Sequence, residues 1–178
     1  MNGLRPYQAT DFEPLIELWW ESWHSSSGYE HHKPIEDWQQ RWLHLEKHHD
    51  IVVIEGQRTI VAFAALDSQA GLLSQLFVSP QWQRRGLGTR LMKWATAQCP
   101  NGFTLKTAAD NREARAFYEK CGLTASGHSI NDFNGYPEIE YATSHHPLAL
   151  GIRDDDSTFR GDRRRQTPHL PDDAASPA

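Results

Sequence analysis

Gln83-Arg84-Arg85-Gly86-Leu87-Gly88-Thr89 is the stretch on which the reading of this chain turns. It follows a strand-like apolar segment, Leu72-Leu73-Ser74-Gln75-Leu76-Phe77-Val78, and opens a helix-like one, Leu87 to Ala97. A glycine-bearing turn between a strand and a helix leaves backbone N–H groups unpaired at the helix start. With the positive end of the helix dipole, those donors form a site for an anionic phosphate. Gly86 and Gly88 carry no side chain to hold a phosphate off the backbone, and Arg84 and Arg85 add positive charge. The segment reads as a pyrophosphate cradle.

Two familiar cradles do not fit. No Lys-Ser or Lys-Thr follows the glycines, as a P-loop requires. Leu91 stands where the dinucleotide fingerprint places its third glycine. What fits is Q-x-x-G-x-G after a strand ending in Val78-Ser79-Pro80. Downstream, Asp110 to Leu123 reads as a complete short helix. Asp110 is its expected cap, with Glu113 three residues on in a capping-box arrangement. Ala114, Phe117, Tyr118 and Cys121 share one face at helical spacing, and Gly122 suits the left-handed position after the last turn.

These two segments resemble the coenzyme A loop and the N-x-x-A-x-x-F-Y-x-x-x-G-F segment of the GCN5-related N-acetyltransferase (GNAT) family, with Leu123 where Phe is common. In element order the resemblance runs from Leu4 to about Thr143; its specific residues lie within 76–123. It implies an α/β (α+β) fold, a mixed, mostly antiparallel β-sheet with helices packed on both faces. It implies direct transfer of acetyl from acetyl-coenzyme A, as co-substrate, to a primary amine of a small molecule or peptide, with no metal.

The same resemblance assigns roles. The backbone of Leu76, Phe77 and Val78 would run beside the pantetheine arm, strand against strand, and an N–H at Phe77 or Val78 would meet the carbonyl oxygen as it becomes an oxyanion. Arg84, Arg85, Gly86, Leu87, Gly88 and Thr89 would hold the pyrophosphate. Asn111 would hydrogen-bond the pantetheine chain. Tyr118 would return a proton to the departing sulfur, although a Tyr on an apolar helix face is ordinarily a core residue with its hydroxyl reaching a partner. Many relatives place a Glu early in the strand before the cradle; here that position is Leu72. Glu21, His24, Tyr29, Asp67 and Glu138 remain as candidate bases, or the amine sheds its proton to solvent before binding. A non-catalytic acyl-coenzyme A-binding or sensor module, and a hydroxyl acceptor on the same scaffold, are the competing readings.

Length and composition agree with one domain, 1–143, and a tail, 144–178, expected to be disordered: Asp154-Asp155-Asp156, Arg163-Arg164-Arg165 and the Pro171–Pro177 stretch contain few core-forming residues. Hydrophobic residues make up 38% of the 178, and the deficit lies after Ser144. Net charge is −5 but uneven. Residues 1–80 hold 5 Lys/Arg against 11 Asp/Glu, residues 81–123 hold 8 against 3, and residues 124–178 hold 5 against 9. The basic block coincides with the two motifs, as a polyphosphate carrier would favour. The acidic total argues against nucleic acid as a partner, and no apolar run approaches a membrane span. Met1 to Pro6 has no long apolar stretch of the signal-peptide kind. Cys99 and Cys121 make no disulfide framework, so the expected home is the cytoplasm. Dimers are common in the family, which leaves a homodimer open.

Outside the motifs, a strand at Leu4–Tyr7 precedes a capping box at Thr10-Asp11-Phe12-Glu13. Helices follow through Trp23 and from Pro34 to Leu45. Strands are expected at 51–54, 60–66, 72–78, 103–107, 123–129 and 138–143, giving the order β-α-α-β-β-β-α-β-α-β-β. Trp19, Trp20, Trp23, Trp38 and Trp42 are expected mainly in the core, with Trp20 or Trp23 facing an acceptor pocket. His31-His32 and His48-His49 lack metal-ligand spacing.

Overall fold

The computed structural model describes residues 3–26 and 33–146. Its elements are β1 (Leu4–Pro6), α1 (Phe12–Ser26), α2 (Ile35–Leu45), β2 (Asp50–Gly56), β3 (Thr59–Asp67), β4 (Leu72–Val78), α3 (Leu87–Gln98), β5 (Thr104–Ala108), α4 (Arg112–Lys120), β6 (Leu123–Ile130) and β7 (Pro137–Thr143). The seven strands form one sheet in the order β1-β2-β3-β4-β5-β7-β6. Every neighbouring pair is antiparallel except β4 and β5, which are parallel.

Helices cover both faces. On one, Leu15, Trp19, Trp38 and Trp42 of α1 and α2 pack on Val53, Phe63 and Ala65. On the other, Leu91, Met92 and Ala95 of α3 and Tyr118 of α4 pack on Ile54, Ala64, Leu105 and Tyr141. A strand covered on both sides has no solvent face, so Ile60–Leu66 of β3 is apolar throughout and buried along its length. Gln57 and Arg58, with φ of 53° and 67°, make the two-residue turn between β2 and β3; positive φ at both positions matches the twist of a hairpin.

Two helix starts differ from expectation. Residues Ala9–Asp11 form a 3-10 turn before α1. Asp11 Oδ2 accepts the Gln8 N–H at 2.8 Å, while Arg5 grips the same carboxylate through Nη1 (2.6 Å) and Nη2 (2.8 Å). The expected Thr10–Glu13 capping box gives way to this part-buried ion pair, because the nearly buried Asp11 carboxylate needs its cation and donors more than the helix needs Thr10. In α4 the cap is Asn111, not Asp110: Asn111 Oδ1 accepts the Ala114 N–H at 3.0 Å.

Of the expected tail, Ser144 to His146 form a turn closed by the His146 N–H on the Thr143 carbonyl at 2.9 Å. The remainder, with the Arg163–Arg165 triplet, lies outside the described residues, as do Tyr29 and His31-His32. No helix among the described residues is long and apolar enough to cross a membrane.

Candidate active site

β4 and β5 pair at only two positions, Leu72 with Thr104 and Leu73 with Leu105. Past them each strand continues without the other, and the gap is the narrow end of a cleft of about 1480 Å³. Pockets for single ligands usually span roughly 300–1,000 Å³, so this cleft is larger than one such pocket.

The backbone of β4 alternates between its two edges. The Ser79 N–H donates to Val61 O at 2.9 Å, and the register runs Val78 with Ala62, Phe77 with Phe63 and Leu76 with Ala64. Hydrogen-bonded and non-bonded pairs alternate in an antiparallel ladder. Phe77 therefore spends its N–H on β3, whereas Leu76 and Val78 turn theirs toward the cleft. The Val78 carbonyl on that edge accepts from Gln83 Nε2 at 3.2 Å. Of the expected oxyanion donors, Val78 is on the cleft edge and Phe77 is not; Leu76 joins it.

At the wide end sits the glycine turn. Gly86 is the cap of α3 with φ +79°, and a Cβ placed there would meet nothing within 4 Å. Having no side chain to cap the helix, Gly86 leaves the first-turn N–H groups of Leu87, Gly88 and Thr89 without partners among the described residues. Gly88 differs: its Cβ would lie 3.1 Å from Phe117 Cζ. Arg84, Lys93, Lys106, Arg112 and Lys120 all line the cleft, so the basic block of the sequence converges on one space. Arg85 lies elsewhere, stacked over the Trp82 ring at 4.7 Å.

Leu76, Phe77, Val78, Asn111 and Tyr118 line the cleft together with Arg84, Gly86, Leu87, Gly88 and Thr89. Asn111 spends its Oδ1 on the helix cap, which leaves its amide hydrogens for a ligand. Tyr118 is 7% exposed, with Phe117 and Tyr141 beside its ring. Its hydroxyl makes no hydrogen bond to another described residue, and burial pushes the phenol well above its usual pKa. A phenol so placed holds its proton until a stronger base arrives.

The opposite side of the cleft is aromatic and mixed in charge: Trp23, Trp38, Phe133, Arg41 and Glu138. Trp19, Trp38 and Trp42 are fully buried, as core packing requires, and Trp23 is the tryptophan of α1 that reaches the cleft. The Arg41 guanidinium lies over the Phe133 ring at 4.7 Å, and burial holds its pKa below the usual arginine value.

The candidate bases separate. Leu72 lines the cleft, so no acid stands there. Glu21 is exposed on α1, away from the cleft. His24 is also outside the lining, its Nδ1 at 2.7 Å from Trp20 O. Asp67 accepts the N–H groups of Gln69 and Ala70 and so shapes a turn. Glu138 does line the cleft, accepting from Asn131 Nδ2 at 2.6 Å.

A pair absent from that candidate set lies at the narrow end. Gln75 pairs with Ala65 and Leu73 with Leu66, so Ser74 is the extra residue of a β-bulge. Such bulges re-aim a side chain. Ser74 lines the cleft and its Oγ lies 2.7 Å from His49 Nε2, while His49 Nδ1 lies 3.0 Å from Leu45 O. Nothing local in the sequence marks this pair, which joins residues 25 apart. No group of His, Cys, Asp and Glu among the described residues is arranged to hold a metal ion.

The sequence profile of the acetyltransferase (GNAT) family matches residues 12–123. Among solved structures, the fold is similar to apo YjaB from Escherichia coli (TM-score 0.67, 21% identity, covering 80% of this chain and 97% of that one). It is similar to PaiA N-acetyltransferase from Thermoplasma acidophilum in complex with coenzyme A (TM-score 0.64, 20% identity, 79% and 98%). A GNAT-family acetyltransferase from Bacillus cereus gives TM-score 0.62 at 19% identity, with 80% and 96% covered. At such identities the likeness establishes the fold. No curated protein matches the sequence.

Proposed function

This chain belongs to the acetyltransferase (GNAT) family, and we propose that it transfers acetyl from acetyl-coenzyme A directly to a primary amine of a small molecule or peptide. The observation that carries the reading is the continuity of the cleft. It runs from free N–H groups at the start of α3, along the unpaired edge of β4, to the hydroxyl of Tyr118.

Each part has a task. The first-turn N–H groups of α3, with Arg84 beside them, bind the diphosphate. The cleft edge of β4 takes the pantetheine arm as a partner strand would. An arm entering from the cradle meets Val78 first and Leu76 next, so the Leu76 N–H lies deeper and is the donor for the developing oxyanion. Asn111 offers its amide hydrogens to the arm. Tyr118 delivers its proton to the leaving sulfur. Trp23 and the carboxylate of Glu138 receive the acceptor amine, which sheds its ammonium proton to solvent before its lone pair attacks. Neither cysteine serves as an acyl carrier in this reading: Cys99 is buried in the core at the end of α3, and Cys121 follows the last turn of α4. A cytoplasmic location, with no role for nucleic acid, membrane or metal, belongs to the same reading.

The test is thiol release from acetyl-coenzyme A across a panel of amines, with product mass measured and Tyr118→Phe as control. Amide formation supports the proposal. Hydroxylamine-labile products would mean a hydroxyl acceptor, and coenzyme A binding without thiol release on any amine would sink it.

A further inference from the structure

Resting on the acetyl-transfer reading above, we infer that Ser74 and His49 form the relay that takes the acceptor amine's proton, in the place where an acid is missing at Leu72. The geometry fixes the direction of transfer. A carbonyl oxygen only accepts, so His49 Nδ1 carries the hydrogen that bonds Leu45 O at 3.0 Å. The neutral ring then presents a bare Nε2, and the Ser74 hydroxyl, 2.7 Å away, is its donor. With its own hydrogen committed to His49, Ser74 Oγ offers its lone pairs to the cleft. Ser74 lines the same cleft as Leu76, the deeper of the two cleft-edge N–H donors, about 7 Å away along the strand, so an amine held between them reaches both the carbonyl carbon and Ser74 Oγ.

The step balances. The amine lone pair forms the N–C bond at the thioester carbon while the C=O π pair moves onto oxygen, facing the Leu76 N–H. The nitrogen passes a proton to Ser74 Oγ as the Ser74 hydroxyl proton passes to His49 Nε2, leaving an imidazolium. The oxyanion pair re-forms the C=O bond as the C–S bond breaks, the C–S pair goes to sulfur, and the thiolate takes the Tyr118 proton. Water then removes the proton from His49 and restores one to Tyr118.

Several charged groups face His49. Asp67, at the end of β3, favours the imidazolium, and His44 and His48 of the α2 end oppose it. Glu46, Lys47 and Asp50 line the same surface hollow as His49. Burial is the largest influence and holds His49 below the ordinary histidine pKa of 6.5, so the ring is a neutral base at pH 7. Activity therefore rises with pH through a limb that lies below pH 6.5, separate from the rise at higher pH set by the amine's own deprotonation.

The experiment measures kcat/KM against pH for the full chain and for His49→Gln, Ser74→Ala, the double variant and His48→Ala, with acetyl-coenzyme A affinity read separately. His49→Gln is expected to lose roughly 10²–10⁴-fold in kcat/KM and the acid limb with it, with affinity unchanged. The double variant should be no worse than His49→Gln, since the two residues act as one unit. His48→Ala should match the parent above pH 7 and move only the acid limb, upward, since His48 opposes the His49 imidazolium. Turnover in the parent with kcat/KM and the acid limb intact in both single variants overturns the relay alone. No thiol release by the parent on any amine overturns the acetyl-transfer reading. The ¹⁵N shifts of the His49 ring are read in every case: a hydrogen on Nε2 rather than Nδ1 sinks the relay whatever the turnover, and a bare Nε2 that changes on Ser74→Ala supports it.

Discussion

Gly88 on α3 packs directly against Phe117 on α4: a Cβ on Gly88 would lie 3.1 Å from Phe117 Cζ, inside ordinary van der Waals separation. The contact joins the glycine turn to the second motif. It also separates the two glycines of the turn, since Gly86 has open space but a φ of +79°.

The two glycines should therefore respond differently to alanine. Gly86→Ala forces a side chain into the left-handed region and should cost about 1–2 kcal/mol in urea denaturation. Gly88→Ala should cost less than about 1 kcal/mol, because the half-buried Phe117 ring can shift and alanine favours the helix. Phe117 lines the cleft, so a displaced ring should lower acetyl-coenzyme A affinity about tenfold, a change of about 1.4 kcal/mol. Equal stability losses for both variants would contradict the distinction.

Tyr118→Phe should lower kcat roughly 10²-fold or more while leaving the urea midpoint unchanged, since the lost hydroxyl bonds no described residue. Burial raises the phenol's pKa, so a reaction that needs the protonated form should keep its rate through the ordinary phenol pKa of about 10. A fall in rate centred near pH 10 would remove Tyr118 as its source.

The Arg5–Asp11 pair ties β1 to the turn before α1, with the Asp11 side chain 8% exposed. Asp11→Asn should cost about 1.5–3 kcal/mol, the range for hydrogen bonds to charged groups. Arg5 holds the Asp11 carboxyl below its ordinary pKa. Its contribution is thus full above the unfolded carboxylate value of about 3.9 and is lost as pH falls from there through the lower folded value. Urea midpoints at pH 6 and pH 3 should converge between parent and variant; a constant gap would show that Asp11 acts otherwise.

Trp19 and Trp23 share α1 but face different surroundings. Trp19 is 1% exposed, packed edge-on to Trp38 with centroids 4.9 Å apart, so Trp19→Ala should cost about 3–5 kcal/mol. Trp23 lines the cleft and is half-buried. Trp23→Ala should raise the KM for the acceptor with a smaller stability loss, and an unchanged KM would take Trp23 out of the acceptor wall.

Much of this was legible along the chain. Leu72–Val78, the glycine turn and Leu87–Gln98 announce a strand, a turn and a helix, because apolar period and turn chemistry act over a few residues. The order of all eleven elements was readable on the same grounds, and the basic block at 81–123 foreshadowed the cationic lining. Where local signals competed, the reading slipped: Asp110 and Asn111 both make caps, and only the path of the chain into α4 selects Asn111. Thr10 reads as a cap until Arg5 claims Asp11.

What lay beyond reach depends on pairing between distant segments. That β5 leaves β4 after two residue pairs, and so opens an edge, is a matter of how the sheet twists and what its helices cover. Which of Leu76, Phe77 and Val78 faces the gap follows from the register with β3. The meeting of Ser74 with His49 needs a bulge at one and the end of a helix at the other. Short-range patterns carry elements and their chemistry; the free energy that brings side chains together across the sheet is shared among many long-range contacts, and no single stretch of sequence records it.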